Sequence, residues 1–106
     1  MHARRVDTSH AEIRDALRRV YGADNVIDTH CLGDDFPDLV LGVAGQTVLI
    51  ECKTATRKDG GVKPSKVSPG QRAFAAGWRG GPVVQATSAE QALSLVRAVL
   101  LGGVAV

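Results

Sequence analysis

A chain of 106 residues, 44% hydrophobic and 23% charged, has the make-up of a single folded domain (residues 1–106) with a modest core. It contains no run of about 20 apolar residues to span a bilayer. Its first ten residues, MHARRVDTSH, lack the apolar middle of a secretory signal, and two cysteines and three histidines form neither a disulfide framework nor a zinc-ligand spacing. The expected location is therefore the cytoplasm, at a nucleoid or in a viral replication complex within a host cell.

The net charge of +2 hides an uneven distribution. Residues 22–53 carry Asp24, Asp28, Asp34, Asp35, Asp38 and Glu51 against Lys53 alone, whereas from Thr54 onward Arg57, Lys58, Lys63, Lys66, Arg72, Arg79 and Arg97 face only Asp59 and Glu90. An acidic patch beside basic segments suits a protein that must attract a phosphate backbone and still hold cations, although an ordinary mixed surface gives the same tally.

The first element reads as a helix from about Ala11 to Tyr21, with Ile13, Leu17, Val20 and Tyr21 on one stripe and Gly22 as its stop. Ser9-His10-Ala11-Glu12 has the form of a capping box, in which Glu12 returns a hydrogen bond to Ser9. Arg14, Arg18 and Arg19 lie off the stripe, as a solvated face or as phosphate contacts. Asn25 to Leu32 reads as a strand with a Gly33-Asp34-Asp35 turn beyond it; His30 near its end reads as a half-exposed histidine, with a place close to the site as the alternative. Asp35 is foremost a turn acid and secondarily a metal-ligand candidate. Cys31 and Cys52 both read as buried reduced thiols.

Residues 35 to 53, DFPDLVLGVAGQTVLIECK, contain two short runs rich in Val, Leu and Ile on either side of Ala44-Gly45. This is the pattern of a β-hairpin with a two-residue turn. Such a turn pairs Val43 with Gln46, Val40 with Leu49, and Asp38 with Glu51. Cross-strand partners share a face and so do alternate residues, which directs Asp38, Glu51 and Lys53 to one side, with Cys52 turned away. Two facing carboxylates repel each other, and a hard divalent cation offsets that best: magnesium takes one or two carboxylates and leaves its other positions to water and phosphate. Lys53 would then stabilise charge on a reacting phosphate or help to orient the attacking water. The plain alternative is an edge hairpin with solvated acids and a surface lysine.

The segment from 54 to 67 is polar, broken by Gly60-Gly61 and Pro64, and carries Arg57, Lys58, Lys63 and Lys66. Directly after Lys53, it suits a grip on nucleic-acid phosphates without reading bases; a solvated connector is the alternative. Ser68-Pro69-Gly70-Gln71 and Ser88-Ala89-Glu90-Gln91 repeat the capping-box form, with Pro69 at a first helical position. Pro82 to Thr87 reads as a strand, and Glu90 to Leu101 as the last helix with Leu93, Val96, Val99 and Leu100 on one face. Only Tyr21, Phe36, Phe74 and Trp78 are aromatic, so base-stacking platforms are not expected. Trp78 is either a partly exposed contact residue or a core anchor. The apolar tail LLGGVAV gives a small domain reason to associate.

Pro37-Asp38 followed by Glu51-Cys52-Lys53 resembles the signature of the PD-(D/E)xK nucleases. The run VSPGQRAFAAGWRGGPVVQA, residues 67 to 86, adds a similarity to the small stand-alone nucleases of the VRR-NUC branch. The resemblance covers roughly residues 9 to 97. It implies an α/β fold with a restriction-endonuclease-like core, a mixed central sheet flanked by helices in the order α-β-β-β-α-β-α. It further implies a Mg2+- or Mn2+-dependent deoxyribonuclease with Asp38, Glu51 and the Cys52 backbone carbonyl as metal ligands. Lys53 and Gln71 would position water and the scissile phosphate, and Glu12 is the matching position for a further acid from the first helix. The implied substrate is branched duplex DNA, such as a four-way junction in replication, repair or recombination, and the implied assembly is a homodimer with no membrane partner. Two alternatives stand beside this: a catalytically silent DNA-binding or assembly subunit on the same fold, and a flap- or restriction-type nuclease, the latter disfavoured where no target-recognition domain is seen. Asp38→Ala, Glu51→Ala or Lys53→Ala is expected to abolish metal-dependent cleavage with folding largely intact.

Overall fold

The turn residues Ala44 and Gly45 both adopt left-handed backbone angles, with φ of 52° and 77°. That is the type I′ conformation whose twist matches the two strands it joins. It places Val43 opposite Gln46 and Val40 opposite Leu49, the register that a two-residue turn demands. The computed structural model describes residues 9–33, 35–54 and 68–102. Around the hairpin, the elements in chain order are α1 (His10–Tyr21), β1 (Val26–Asp28), β2 (Leu39–Val43), β3 (Gln46–Cys52), α2 (Pro69–Gly77), β4 (Val83–Ala86) and α3 (Ala89–Leu100). Short 3-10 turns at Ala23–Asn25 and His30–Leu32 flank β1. This small α/β domain carries a four-stranded mixed sheet in the order β1-β2-β3-β4, antiparallel except for the parallel β3–β4 pair. A parallel neighbour requires a crossover connection, and α2 lies within it.

The two faces of β3 have different tasks. Val48, Ile50 and Cys52 point into the core formed with Ile13 and Leu17 of α1, Leu39 and Leu41 of β2, Val84 and Ala86 of β4, and Ala92 and Val96 of α3. Helices α1 and α3 thus cover one side of the sheet. Leu49, Glu51 and Lys53 alternate onto the other side and are buried too. At the far end of the sheet Gly81, with φ of 133°, passes so near the Thr47 carbonyl that a Cβ there would lie 2.7 Å from its oxygen. A side chain at position 81 would therefore disturb the entry into β4.

Several expectations need correction. Val20 is 58% exposed, because the buried stripe of α1 runs through His10, Ile13, Ala16 and Leu17 instead. The strand expected over 25–32 is only three residues long. The Asp28 carboxylate accepts the His30 amide at 3.1 Å, and Leu32 N donates to Thr29 O, so the chain turns where an extended strand would continue. Cys31, within that turn, is exposed; Cys52 is buried as expected. Ser9 does not cap α1 with its side chain. Its hydroxyl donates instead to the Lys53 carbonyl at 2.8 Å, tying the end of β3 to the start of α1.

Candidate active site

Odd-numbered amides of β3 point at β4: Leu49 N donates to Pro82 O and Lys53 N to Ala86 O. Even-numbered amides therefore point at β2, and the last of them, Cys52 N, lies beyond the end of that strand. Its acceptor is Asp38 Oδ2, at 2.8 Å, while the Asp38 amide donates to Ile50 O at 3.0 Å. Asp38 thus closes the ladder with its side chain at the point where the β2 backbone turns away. Its other oxygen lies 3.2 Å from His30 Nδ1.

Glu51 and Lys53 share the opposite face from Cys52, with Lys53 Nζ 3.9 Å from Glu51 Oε2. The shorter contact of the ammonium is to Gln71 Oε1, at 2.6 Å. Gln71 sits in the first turn of α2, where its amide donates to Ser68 Oγ and its side-chain oxygen accepts from Ser68 N. The capping box expected there is complete, and its Gln also reaches the lysine. Asp38, Glu51 and Lys53 are 4%, 3% and 7% exposed. Two carboxylates and one ammonium are therefore held in a nearly dry environment, where charge left uncompensated costs several kcal/mol.

A second polar cluster adjoins the first through His30. His10 Nε2 lies 3.2 Å from Asp28 Oδ1, Arg14 Nη1 donates to Asp28 Oδ2 at 3.3 Å, and the His10 and His30 rings are 5.3 Å apart. His10, Ala11, Arg14, Asp28, His30 and Cys31 line a cavity of about 490 Å³. Burial by itself would raise the Asp28 carboxyl, but the His30 amide, His10 and Arg14 together outweigh it and hold that carboxyl below its ordinary range. The Arg14 guanidinium is held above its ordinary value by its hydrogen bonds to Asp15 and then Asp28.

The remaining candidates lie elsewhere or outside the described residues. Glu12 is exposed at the start of α3, where Oε1 accepts from Ala89 N at 3.3 Å. Among the described residues no three His, Cys, Asp or Glu side chains form a group able to hold a metal ion. Asp35 is an exposed turn residue with φ of 64°, 3.4 Å from Ser68 Oγ. Arg57, Lys58, Lys63 and Lys66 lie outside the described residues.

Reading the sequence missed two neighbours of the site and assigned no contact to a third, His30. Gln85 is set beside Glu51 by the parallel register, Ser9 anchors Lys53 through its carbonyl, and His30 reaches Asp38. A parallel register has no turn to fix it from sequence, whereas the short loop between His30 and Asp38 already allowed His30 near the site, and Asp38 is its partner. No helix among the described residues is long and apolar enough to cross a membrane. Comparison with known proteins found no matching family model, curated protein or solved structure, so the functional reading rests on the geometry of Asp38, Glu51, Lys53 and Gln71.

Proposed function

We propose that this chain is a metal-dependent deoxyribonuclease with a restriction-endonuclease-like core, hydrolysing phosphodiester bonds at the junction of β2, β3 and α2. The observation that carries the reading is the Glu51, Lys53 and Gln71 set, with Asp38 one strand position away. A purely structural sheet face has little reason to bury two carboxylates beside a lysine, since replacing buried ions by apolar residues is often neutral or stabilising.

The donor set fits a magnesium or manganese ion. Two buried carboxylates lie near one ammonium and the His30 ring, and Mg2+ takes one or two protein carboxylates with its other positions left to water and phosphate. Asp38 and Glu51 would hold the ion, with the Cys52 carbonyl as a further oxygen. Asp38 Oδ2 accepts from Cys52 N at 2.8 Å, which fixes the direction of the carboxylate. The ion would supply Lewis-acid stabilisation of the phosphate and a more acidic bound water. From the protein side, Lys53 Nζ is placed to meet a phosphoryl oxygen, and Gln71 Oε1 sets its direction. Gln71 must share or yield the ammonium when the phosphate arrives. Branched DNA as substrate, a homodimeric state and an intracellular, nucleoid or viral-replication setting belong to the same proposal.

The test is cleavage of labelled junction, flap, nicked, duplex and single-stranded DNA with Mn2+ or with EDTA, using the native chain and Glu51→Gln. Metal-dependent cleavage lost in the variant is expected. Undiminished cleavage in EDTA or in Glu51→Gln would refute the reading, and metal-independent binding without cleavage of any substrate would favour the silent DNA-binding subunit.

A further inference from the structure

Helix α2 contains no buried residue, yet Phe74 within it and Trp78 at its C-cap are two of the chain's four aromatic side chains. Phe74 stacks on Trp78 with ring centroids 5.3 Å apart and planes 17° from parallel, and Phe36 and Phe74 meet in a T-shaped contact at 5.5 Å. The indole is 37% exposed. Its position is built in by glycine: a Cβ on Gly80 would lie 2.7 Å from Trp78 Cζ2, so the ring rests against bare backbone. The same helix presents Gln71 to Lys53 at its other end. Between residues 68 and 89 the chain contains no acid, and Arg72 and Arg79 are exposed on either side of Phe74. Asp35, beside Ser68, is the carboxylate near the far end of α2.

We infer that the Phe36–Phe74–Trp78 stack is a platform for unpaired bases of the nucleic-acid strand whose phosphate enters the Lys53 site. The inference rests on the nuclease reading for its direction and deepens it by naming the substrate class: DNA with single-stranded or splayed bases next to the cleaved bond. A base has a π-face that any aromatic plane can cover, which makes such contacts tolerant of sequence, and the exposed Arg79, next to Trp78 in the chain, offers a charge for a flanking phosphate. Bases within an intact duplex are stacked on each other and cannot use the platform. Composition alone argued against stacking, since aromatics are few; the fold brings three of the four into contact around Phe74.

Trp78 is the single tryptophan, so its fluorescence reports directly on the platform. The full chain is titrated in EDTA with a thymidine 15-mer and with a blunt 20-base-pair duplex, reading tryptophan emission and the anisotropy of labelled DNA. The single strand should quench Trp78, and Trp78→Ala should weaken its binding about tenfold, within the range of one lost base stack. Duplex binding should change less than about twofold, and Trp78→Phe should restore most of the loss. Arg79→Gln should lower the salt dependence by roughly one phosphate contact. No quenching, an equal loss for both DNAs, or quenching that grows with protein concentration in the absence of DNA, as a second copy covering the row would give, overturns the inference. Because EDTA prevents metal-dependent cleavage, a catalytically dead chain that shows strand-selective quenching keeps the platform and loses the nuclease reading, and an active chain without quenching does the reverse.

Discussion

Lys53 and Gln71 meet across the gap between β3 and α2, with Nζ donating to Oε1 at 2.6 Å, and the same oxygen accepts from Ser68 N at 3.2 Å. One acceptor thus caps a helix and orients the lysine. The two roles separate by substitution. Ser68→Ala removes a cap acceptor and should cost about 1 kcal/mol of stability, as N-cap losses typically do. Gln71→Ala removes the return bond of the cap and the lysine's acceptor as well. It should show a comparable change in melting temperature but a fall in cleavage of about a hundredfold, the size expected when a reacting group is misplaced by about an ångström. Equal activity in the two variants would confine Gln71 to capping.

The hairpin and its site were largely legible from the chain because turn geometry propagates: Ala44-Gly45 sets the register, and the register decides what faces what. Capping chemistry was legible only as a pattern. Ser68 and Gln71 behave as their spacing suggests, whereas Ser9 and Glu12, with similar spacing, spend their side chains on Lys53 O and Ala89 N. The difference is tertiary: β3 and α3 arrive beside α1 and offer partners that a local rule cannot see. The exposed Val20 and the contact of Phe36 and Trp78 with Phe74 of α2 have the same origin, since periodicity marks a stripe but not where the stripe ends against its neighbours.

Metal should stabilise the folded protein as well as support cleavage. A ligand that binds only the native state at ten times its Kd adds about 1.4 kcal/mol. For a domain near 100 residues this raises Tm by about 6 °C or more. Titration with Mn2+ under thermal denaturation should therefore raise Tm in the native chain and leave Glu51→Gln nearly unmoved. Identical shifts in both proteins would place the ion away from Glu51.

Asp28, in the cluster that adjoins the candidate site through His30, gives a pH signature. Its carboxyl is held below the ordinary range in the folded chain, against the effect of burial, by the His30 amide, His10 and Arg14. A carboxyl depressed on folding contributes stability that is complete above its unfolded value and is lost as pH falls through the folded one. The stability difference between the native chain and Asp28→Asn should accordingly be constant at neutral pH and shrink below about pH 4. A gap that widens in acid would contradict this account.

The type I′ turn invites a stabilising change. Ala44 holds φ of 52°, a conformation that costs a residue with a Cβ roughly 1 kcal/mol and that asparagine tolerates far better. Ala44→Asn creates the favoured Asn-Gly turn and should raise stability by about 0.5 to 1 kcal/mol, read as a higher denaturation midpoint. The exposed turn has no packing to lose. Activity should be unchanged, because the strands, and with them Glu51 and Lys53, keep their register.

Asp38 requires a different probe from the alanine that its motif suggests. Its Oδ2 is the acceptor for Cys52 N at 2.8 Å, and both residues are buried. Asp38→Ala leaves that amide hydrogen inside the protein without its partner, a loss of about 1 to 3 kcal/mol. A fall in activity in that variant would therefore mix damaged strand pairing with lost chemistry, contrary to the expectation that alanine leaves folding intact. Asp38→Asn keeps a carbonyl oxygen to accept the Cys52 hydrogen and removes the charge a cation would need. We expect Asn to retain most of the stability that Ala loses, while both abolish metal-dependent cleavage. Denaturation midpoints compared with cleavage rates check this, and an active Asp38→Asn protein would leave Asp38 as a strand-end cap alone.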